Sequence, residues 1–270
     1  MPPRSVVVTG SGTGIGNAII VRLAADGWNT VGIEIDSDAA EKLRAKLGEG
    51  HAVIAGDAAD RKILESARVK AEEFAPLGGW VNNVGIAVMG NLHDPNPEEV
   101  ERLFAVNLMS HYWGCSEAIR TWIRDRRAGV IVNVSSIHGR AAFTMWAAYD
   151  VAKAGIDALT RYIAVEYGPI GIRANAIAPG AISTPLVQRV IADSPDPVLA
   201  EREMSMIHPL DRIGQPEEVA ATASWLLSPE SSFITGQSIA VDGGASARCF
   251  RYEPDAGLVG RYSGVQRQHV

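Results

Sequence analysis

Val6-Val7-Val8-Thr9-Gly10-Ser11-Gly12-Thr13-Gly14-Ile15-Gly16 is the stretch whose reading decides the fold. The β-branched run Val6–Thr9 reads as a strand. From Gly14 to about Asp26, Ile15, Ala18, Ile19 and Leu23 fall close to one stripe, as on a helix. Glycines between a strand and a helix let the backbone turn tightly and approach a pyrophosphate, whose charge then sits at a helix N-terminus. The strict G-x-G-x-x-G fingerprint fails, because Ile15 occupies the sixth position counted from Gly10. The pattern present is T-G-x-x-x-G-x-G, which a structural turn before a helix would also produce. Glu34 strengthens the nucleotide reading. It lies about twenty residues beyond Gly14, at the end of the next strand, where an acid binds ribose hydroxyls. A carboxylate there repels the 2′-phosphate of NADP, and neither Thr13 nor Ile35 is basic, so NAD is preferred over NADP. Asp36 is close enough in sequence to share or replace the role.

Working outward, short β-branched runs alternate with segments of helical spacing. Strands are expected at Thr30–Ile35, His51–Ala55, Trp80–Asn82, Val130–Val134, Arg173–Ile177 and Ser238–Val241. Helices are expected at Asp38–Leu47, near 60–74, over 97–125, and at 147–168 and 216–228. This alternation predicts an α/β protein: a Rossmann-type, doubly wound, mainly parallel sheet with helices on both faces. No linker or repeat divides it, so residues 1–244 are read as one domain and 245–270 as a tail. Residues 185–212, with three proline-containing turns, form a long connection of the kind used as a substrate lid. The tail carries Arg248, Arg251, Arg261 and Arg267 without periodicity, and is expected either to lack order or to pack on a partner subunit.

Composition narrows the function. The chain has 270 residues, 47% apolar and 21% charged, enough for a sizeable core. A net charge of −6 argues against general nucleic-acid binding and against docking on an anionic membrane. No apolar run reaches the roughly 18 residues that span a bilayer, and no signal peptide is expected. Cys115 and Cys249 are too few and too far apart for a disulfide framework and lack companions for a metal site. A cytoplasmic protein without metal is expected.

The chemistry is expected at Ala148-Tyr149-Asp150-Val151-Ala152-Lys153, thirteen residues beyond Ser136. One helical turn puts Lys153 on the face of Tyr149, where its cation would favour the phenolate. Lowering a tyrosine pKa by about 2 to 3 units from its usual 10 takes roughly 3 to 4 kcal/mol. Tyr149 would then accept a proton from an alcohol whose oxygen Ser136 holds.

Together these motifs resemble the short-chain dehydrogenase/reductase family, and the resemblance runs from Thr9 to about Gly244. It implies that Gly10, Ser11, Gly14, Ile15 and Gly16 bind the diphosphate and that Asp57 and Ala58 contact adenine. Asn82-Asn83-Val84-Gly85 is similar to the family's Asn-Asn-Ala-Gly run beside the adenosine ribose, with Asn83 and Gly85 in cofactor contact. Asn107 matches the residue that holds a water in a proton relay to the lysine. The family's serine precedes its tyrosine by thirteen residues, which selects Ser136 over Ser135. Lys153 would also bind the nicotinamide ribose together with Tyr149. Pro179, Gly180, Ile182 and Thr184 fall in the segment that binds the nicotinamide carboxamide, and Val241-Asp242-Gly243-Gly244 closes the pattern. A homotetramer is implied, with the helices of Asn107 and Tyr149 at subunit contacts and Tyr112 and Trp113 as contact material.

The reaction expected is NAD-dependent interconversion of a secondary alcohol and a ketone. Substrate-pocket candidates are His138, Phe143, Met145, Trp146, Met204 and Met206, with Val88 and Met89 nearby; His138 reads equally well as a surface residue capping a turn. Rival readings are an NADP-dependent carbonyl reductase, a non-catalytic dinucleotide sensor and an interaction protein.

Overall fold

The computed structural model describes residues 3–248. Seven strands form one sheet in the order β3-β2-β1-β4-β5-β6-β7: β1 (Ser5–Thr9), β2 (Asn29–Glu34), β3 (Ala52–Ala55), β4 (Leu77–Asn82), β5 (Gly129–Val134), β6 (Ile172–Pro179) and β7 (Ser238–Val241). Every neighbouring pair is parallel, so the expected "mainly parallel" sheet is wholly so. Parallel strands need helical crossovers, and these cover both faces. All five residues of β1 are therefore buried. Val6 and Val8 enter one core with Ile19, Ile20, Leu23 and Leu226. Val7 enters the other with Ile33, Leu64, Trp80, Trp122 and Ile131.

The helices are α1 (Gly14–Ala25), α2 (Ser37–Leu47), α3 (Arg61–Phe74), α4 (Pro97–Phe104), α5 (Ser110–Asp125), α6 (Ala147–Tyr167), α7 (Pro185–Ala192), α8 (Pro197–Met206) and α9 (Pro216–Leu227). The single helix expected over 97–125 is interrupted by a π-helical turn at Ala105–Met109, which contains Asn107. Single π-helical turns of this kind occur inside α-helices, frequently at functional sites. The expected proline turns of 185–212 are in part helix starts: Pro185 and Pro197 open α7 and α8. Of the tail, only the beginning is described, where Arg248 donates to the Met206 carbonyl at 2.8 Å. The expectation for the rest lies outside the described residues, among which no helix is long and apolar enough to cross a membrane.

Trp122 is fully buried, and its indole donates to the Leu77 carbonyl at 2.7 Å. It lies flat against the start of β5, where a Cβ on Gly129 would overlap the indole ring. Gly129→Ala is therefore expected to destabilise the protein by about 2–3 kcal/mol, the cost of overpacking. An unchanged urea midpoint would refute this packing account.

Candidate active site

Strand order reverses between β1 and β4, and at that switch point the carboxyl ends of β1, β2, β4, β5 and β6 open onto one cleft of about 410 Å³. At one end lies the glycine loop. Thr13 caps α1 in extended backbone but makes no side-chain hydrogen bond to it, whereas α2, α3, α4, α7 and α8 each receive one. The first N–H groups of α1 thus stand beside a cleft lined by Gly10, Thr13, Gly14, Ile15 and Gly16. A Cβ on Gly16 would overlap the Gly10 carbonyl. Backbone donors, a helix N-terminus and room left by missing side chains make a cradle that fits the diphosphate of a dinucleotide. Ser11 lies elsewhere: fully buried, its backbone N–H and hydroxyl both donate to the Ile33 carbonyl. It fastens the loop to β2, and its hydroxyl is not presented to the cleft.

Glu34 stands at the same end, against the glycine loop. It is almost buried, and its oxygens accept from Gly12 N–H at 2.7 Å and Asp36 N–H at 3.0 Å. Asp36 does not compete for its role, because its carboxylate caps α2 through Asp38 and Ala39 N–H. Asp57 accepts from Arg102 at 2.7 Å and from Ala59 N–H, and Ala58 is buried. Neither is among the residues lining the cleft. Asn83 turns toward β1: its amide donates to the Thr9 and Gly10 carbonyls, both at 3.0 Å.

At the opposite end Ser136, Tyr149 and Lys153 meet, with Gly85 beside the lysine; Pro179, Gly180 and Ile182 also line the cleft, and Thr184 lies against Gly14 of the glycine loop. Ser136 lies two residues beyond β5 in extended backbone, and its Oγ accepts from His138 N–H at 3.2 Å. Tyr149 and Lys153 share a face of α6. Lys153 Nζ donates to the Val134 carbonyl at 2.9 Å and lies 5.5 Å from the centre of the Tyr149 ring. Burial pushes the lysine down to about 8, opposed by the Asp157 carboxylate one turn on. The tyrosine departs from expectation. Burial pushes it up to about 12; a hydrogen bond with Ser136 pulls the other way, and the Asp150 charge adds to the rise. The lysine cation alone does not overcome desolvation of the phenolate. Asn107 is fully buried in the π-helical turn, where its amide exchanges two 2.8 Å hydrogen bonds with the Ile86 backbone. A Cβ on Gly85 would lie 3.6 Å from Asn107 Oδ1 and 3.7 Å from Lys153 Nζ, which places both groups around this glycine.

The substrate candidates divide. His138, Phe143, Trp146 and Tyr149 form one aromatic cluster. Met145 beside it is 37% exposed and holds a positive φ of 71°. None of the six candidates is among the residues lining the cleft; from the 185–212 connection Pro185, Leu186 and Val187 line it instead, because α7 and not α8 follows β6 directly. Val88 and Met89 line a separate cavity with Phe104 and Val151. Three residues escaped the sequence reading: Thr9, whose hydroxyl accepts from Asn83 and Val84 N–H, Asp157 and His111. Asp157 follows Lys153 by one turn and His111 follows Asn107 by one turn, a spacing that could have flagged both. His111 is fully buried, bonds the Val84 carbonyl at 3.0 Å, and is pushed down to about 3 by burial and the nearby Lys153 charge.

Comparison with known proteins bears on this geometry. A family model described as "Enoyl-(Acyl carrier protein) reductase" matches residues 10–246. The 3beta-hydroxysteroid dehydrogenase 1 of Eggerthella lenta is 37% identical over 246 residues, covering 89% of this chain and 93% of that protein. The chain belongs to the short-chain dehydrogenase/reductase family. Levodione reductase of Leifsonia aquatica is 34% identical over 255 residues, covering 90% of this chain and 94% of the relative. A solved structure of ElxO with NADP bound superimposes with a TM-score of 0.84 at 26% identity, covering 91% of this chain and all of the other. This short-chain dehydrogenase/reductase is thus an oxidoreductase acting on CH–OH groups in alcohol and ketone substrates, in a family that uses nicotinamide dinucleotides.

Because the Asp150 charge opposes ionisation of Tyr149, its removal should favour the phenolate. Asp150→Asn is expected to move the alkaline midpoint of the alcohol-oxidation rate to lower pH. A midpoint that stays or rises, read from kcat/KM against pH, would contradict the electrostatic assignment.

Proposed function

We propose that the protein is an NAD-dependent oxidoreductase that interconverts a secondary alcohol and a ketone by hydride transfer, with Tyr149 as general base and acid. The observation that carries the proposal is the gathering of Ser136, Tyr149 and Lys153 at one end of a cleft whose other end holds the uncapped start of α1 and the Glu34 carboxylate. Gly10, Gly14, Ile15 and Gly16 hold the diphosphate, and Glu34 takes the adenosine ribose hydroxyls. Gly85, Pro179, Gly180, Ile182 and Thr184 surround the nicotinamide end. A bound dinucleotide supplies the hydride acceptor and, when oxidised, a positive charge in the cleft.

Ser136 orients the reacting oxygen, and Tyr149 takes its proton in oxidation and returns it in reduction. Lys153 holds its ammonium near the phenol and binds the nicotinamide ribose. Asn107 acts from the π-helical turn beside Lys153, ordering a water in the relay while its side-chain amide is held by Ile86. Glu34 favours NAD over NADP, since a 2′-phosphate would meet a carboxylate there; Ile35, 64% exposed, brings no cation.

A homotetramer fits the surface. Met109 and Tyr112 at the start of α5, and Val151, Tyr162 and Val165 along α6, leave large apolar side chains in solvent. The α6 residues share one stripe, as for two copies packed helix to helix. Trp113 is not part of it: Arg61 stacks on its indole 4.1 Å from the ring centre and the ring packs on the core.

Tyr149→Phe is expected to lower turnover of secondary alcohols by about 10²–10⁴-fold while NAD still raises the melting temperature. Turnover like that of the parent protein would sink the mechanism. A higher kcat/KM with NADP than with NAD would reverse the cofactor assignment. Val165→Asp should convert the tetramer to smaller species in light scattering; an unchanged mass would place the interface elsewhere.

A further inference from the structure

Beside Tyr149 stands a polar pair that the proposed reaction does not use. His138 Nδ1 lies 2.6 Å from Asp150 Oδ1, and the second oxygen of Asp150 accepts from Phe143 N–H at 3.0 Å. A carboxylate only accepts, so Nδ1 carries the proton and Nε2 keeps a lone pair. The imidazole is held on three sides. It stacks on Phe143 at 3.9 Å between ring centres, and meets Trp146 and Tyr149 edge-on at 5.4 and 5.1 Å. Among the described residues Nε2 has no hydrogen-bond partner, yet it is not one of the fully enclosed polar atoms that lack one. It is therefore accessible, on a ring whose centre lies 5.1 Å from that of Tyr149, which lines the cleft. Burial favours the neutral ring, with Asp150 opposing, so Nε2 is presented as an acceptor.

The position of Asp150 has a cost. A carboxylate next to the residue that must ionise works against that ionisation, yet both its oxygens serve the 138–146 segment. That segment is fixed again by Gly90 N–H donating to the Met145 carbonyl at 2.8 Å, and Met145 itself is held at positive φ. Backbone strain of this kind persists only where the surroundings over-determine it. The loop is built to hold one ring in one orientation.

We propose that the His138–Asp150 pair is a specificity device: His138 Nε2 accepts a hydrogen bond from a second hydroxyl, one or two carbons from the reacting carbon, so that diols and hydroxy ketones are preferred over simple alcohols. The inference rests on the reading of Tyr149 as the group that handles the reacting oxygen. A site built to receive a hydroxyl discriminates against the analogue lacking it more strongly than an apolar wall discriminates by size.

The experiment pairs each mono-alcohol with its diol, for example cyclohexanol with cyclohexane-1,2-diol and cyclohexane-1,3-diol, in NAD reduction by the full-length enzyme, its His138→Phe and Asp150→Asn variants, and Tyr149→Phe. The parent enzyme should favour the diol of at least one pair by tenfold or more in kcat/KM. His138→Phe, which keeps the stacking ring, should cut that ratio at least tenfold, mainly through a higher KM for the diol. Asp150→Asn, which weakens the charge-assisted hold on the ring, should move the ratio in the same direction. A ratio unaltered by His138→Phe, or no diol preference in any pair, overturns the inference while leaving the alcohol reaction standing. Absence of turnover across the panel with either dinucleotide, or full activity of Tyr149→Phe, overturns the underlying reaction reading instead.

Discussion

The cleft exists because β1 and β4 part company at Thr9 and Asn82, and one interlock satisfies the backbone groups that the parting exposes. Thr9 Oγ1 accepts the N–H groups of Asn83 and Val84 at 3.0 and 3.1 Å, and the Asn83 amide returns two bonds to the Thr9 and Gly10 carbonyls. Buried main-chain donors and acceptors must find partners, and at a switch point the neighbouring strand no longer supplies them. This small knot replaces the missing ladder. It fixes the exit of β1, and with it the glycine loop and the direction in which α1 starts. Gly16 packs so closely on the Gly10 carbonyl that the helix and the loop move as one piece. Asn83 accordingly shapes the cofactor end from behind.

At the reacting end the balance is electrostatic. Raising the Tyr149 pKa from 10 to about 12 corresponds to about 3 kcal/mol against the phenolate. Lys153 faces the same penalty in reverse, and its ammonium is anchored to the Val134 carbonyl with Asp157 behind it. In the proposed reaction, therefore, the pair is not a preformed phenolate–ammonium couple. Ionisation of the phenol has to be favoured by further positive charge brought into the cleft, as the oxidised nicotinamide would bring. Such an arrangement ties proton abstraction to the presence of the hydride acceptor and leaves the tyrosine neutral otherwise.

The fold was legible because parallel strands buried on both faces leave a crude signature: apolar runs such as Val130–Val134 separated by helix-length segments. Ser136, Tyr149, Lys153 and Glu34 were legible because their spacing along strand ends and one helix turn is a local property. What escaped reading depends on long-range partners. Ser11 looks like any glycine-loop serine until β2 offers it the Ile33 carbonyl, and Asp57 looks free until Arg102 arrives from α4. The π-helical turn around Asn107 sits within a run that is helical on both sides. Met204 and Met206 seemed suited to a lid pocket, but Pro197 starts a second helix that carries them past the cleft. The sign of the Tyr149 shift was misjudged for a related reason: spacing reveals the cation, while burial, which outweighs it, is a property of the whole packed site.

His111 completes the electrostatic logic. A histidine one turn from Asn107 and within the field of Lys153 would, if protonated, add a second cation near the lysine and push its proton off further. Complete burial prevents this, holding His111 far below neutrality with one ring nitrogen bonded to the Val84 carbonyl. The strand-end loop that carries Val84 is thereby tied to α5 by a neutral group, and to β1 by Thr9. The lysine itself lies 5.5 Å from the centre of the Tyr149 ring. Burial lowers the lysine to about 8, with the Asp157 carboxylate opposing. Burial thus disfavours the charged form of both residues, the phenolate of Tyr149 and the ammonium of Lys153.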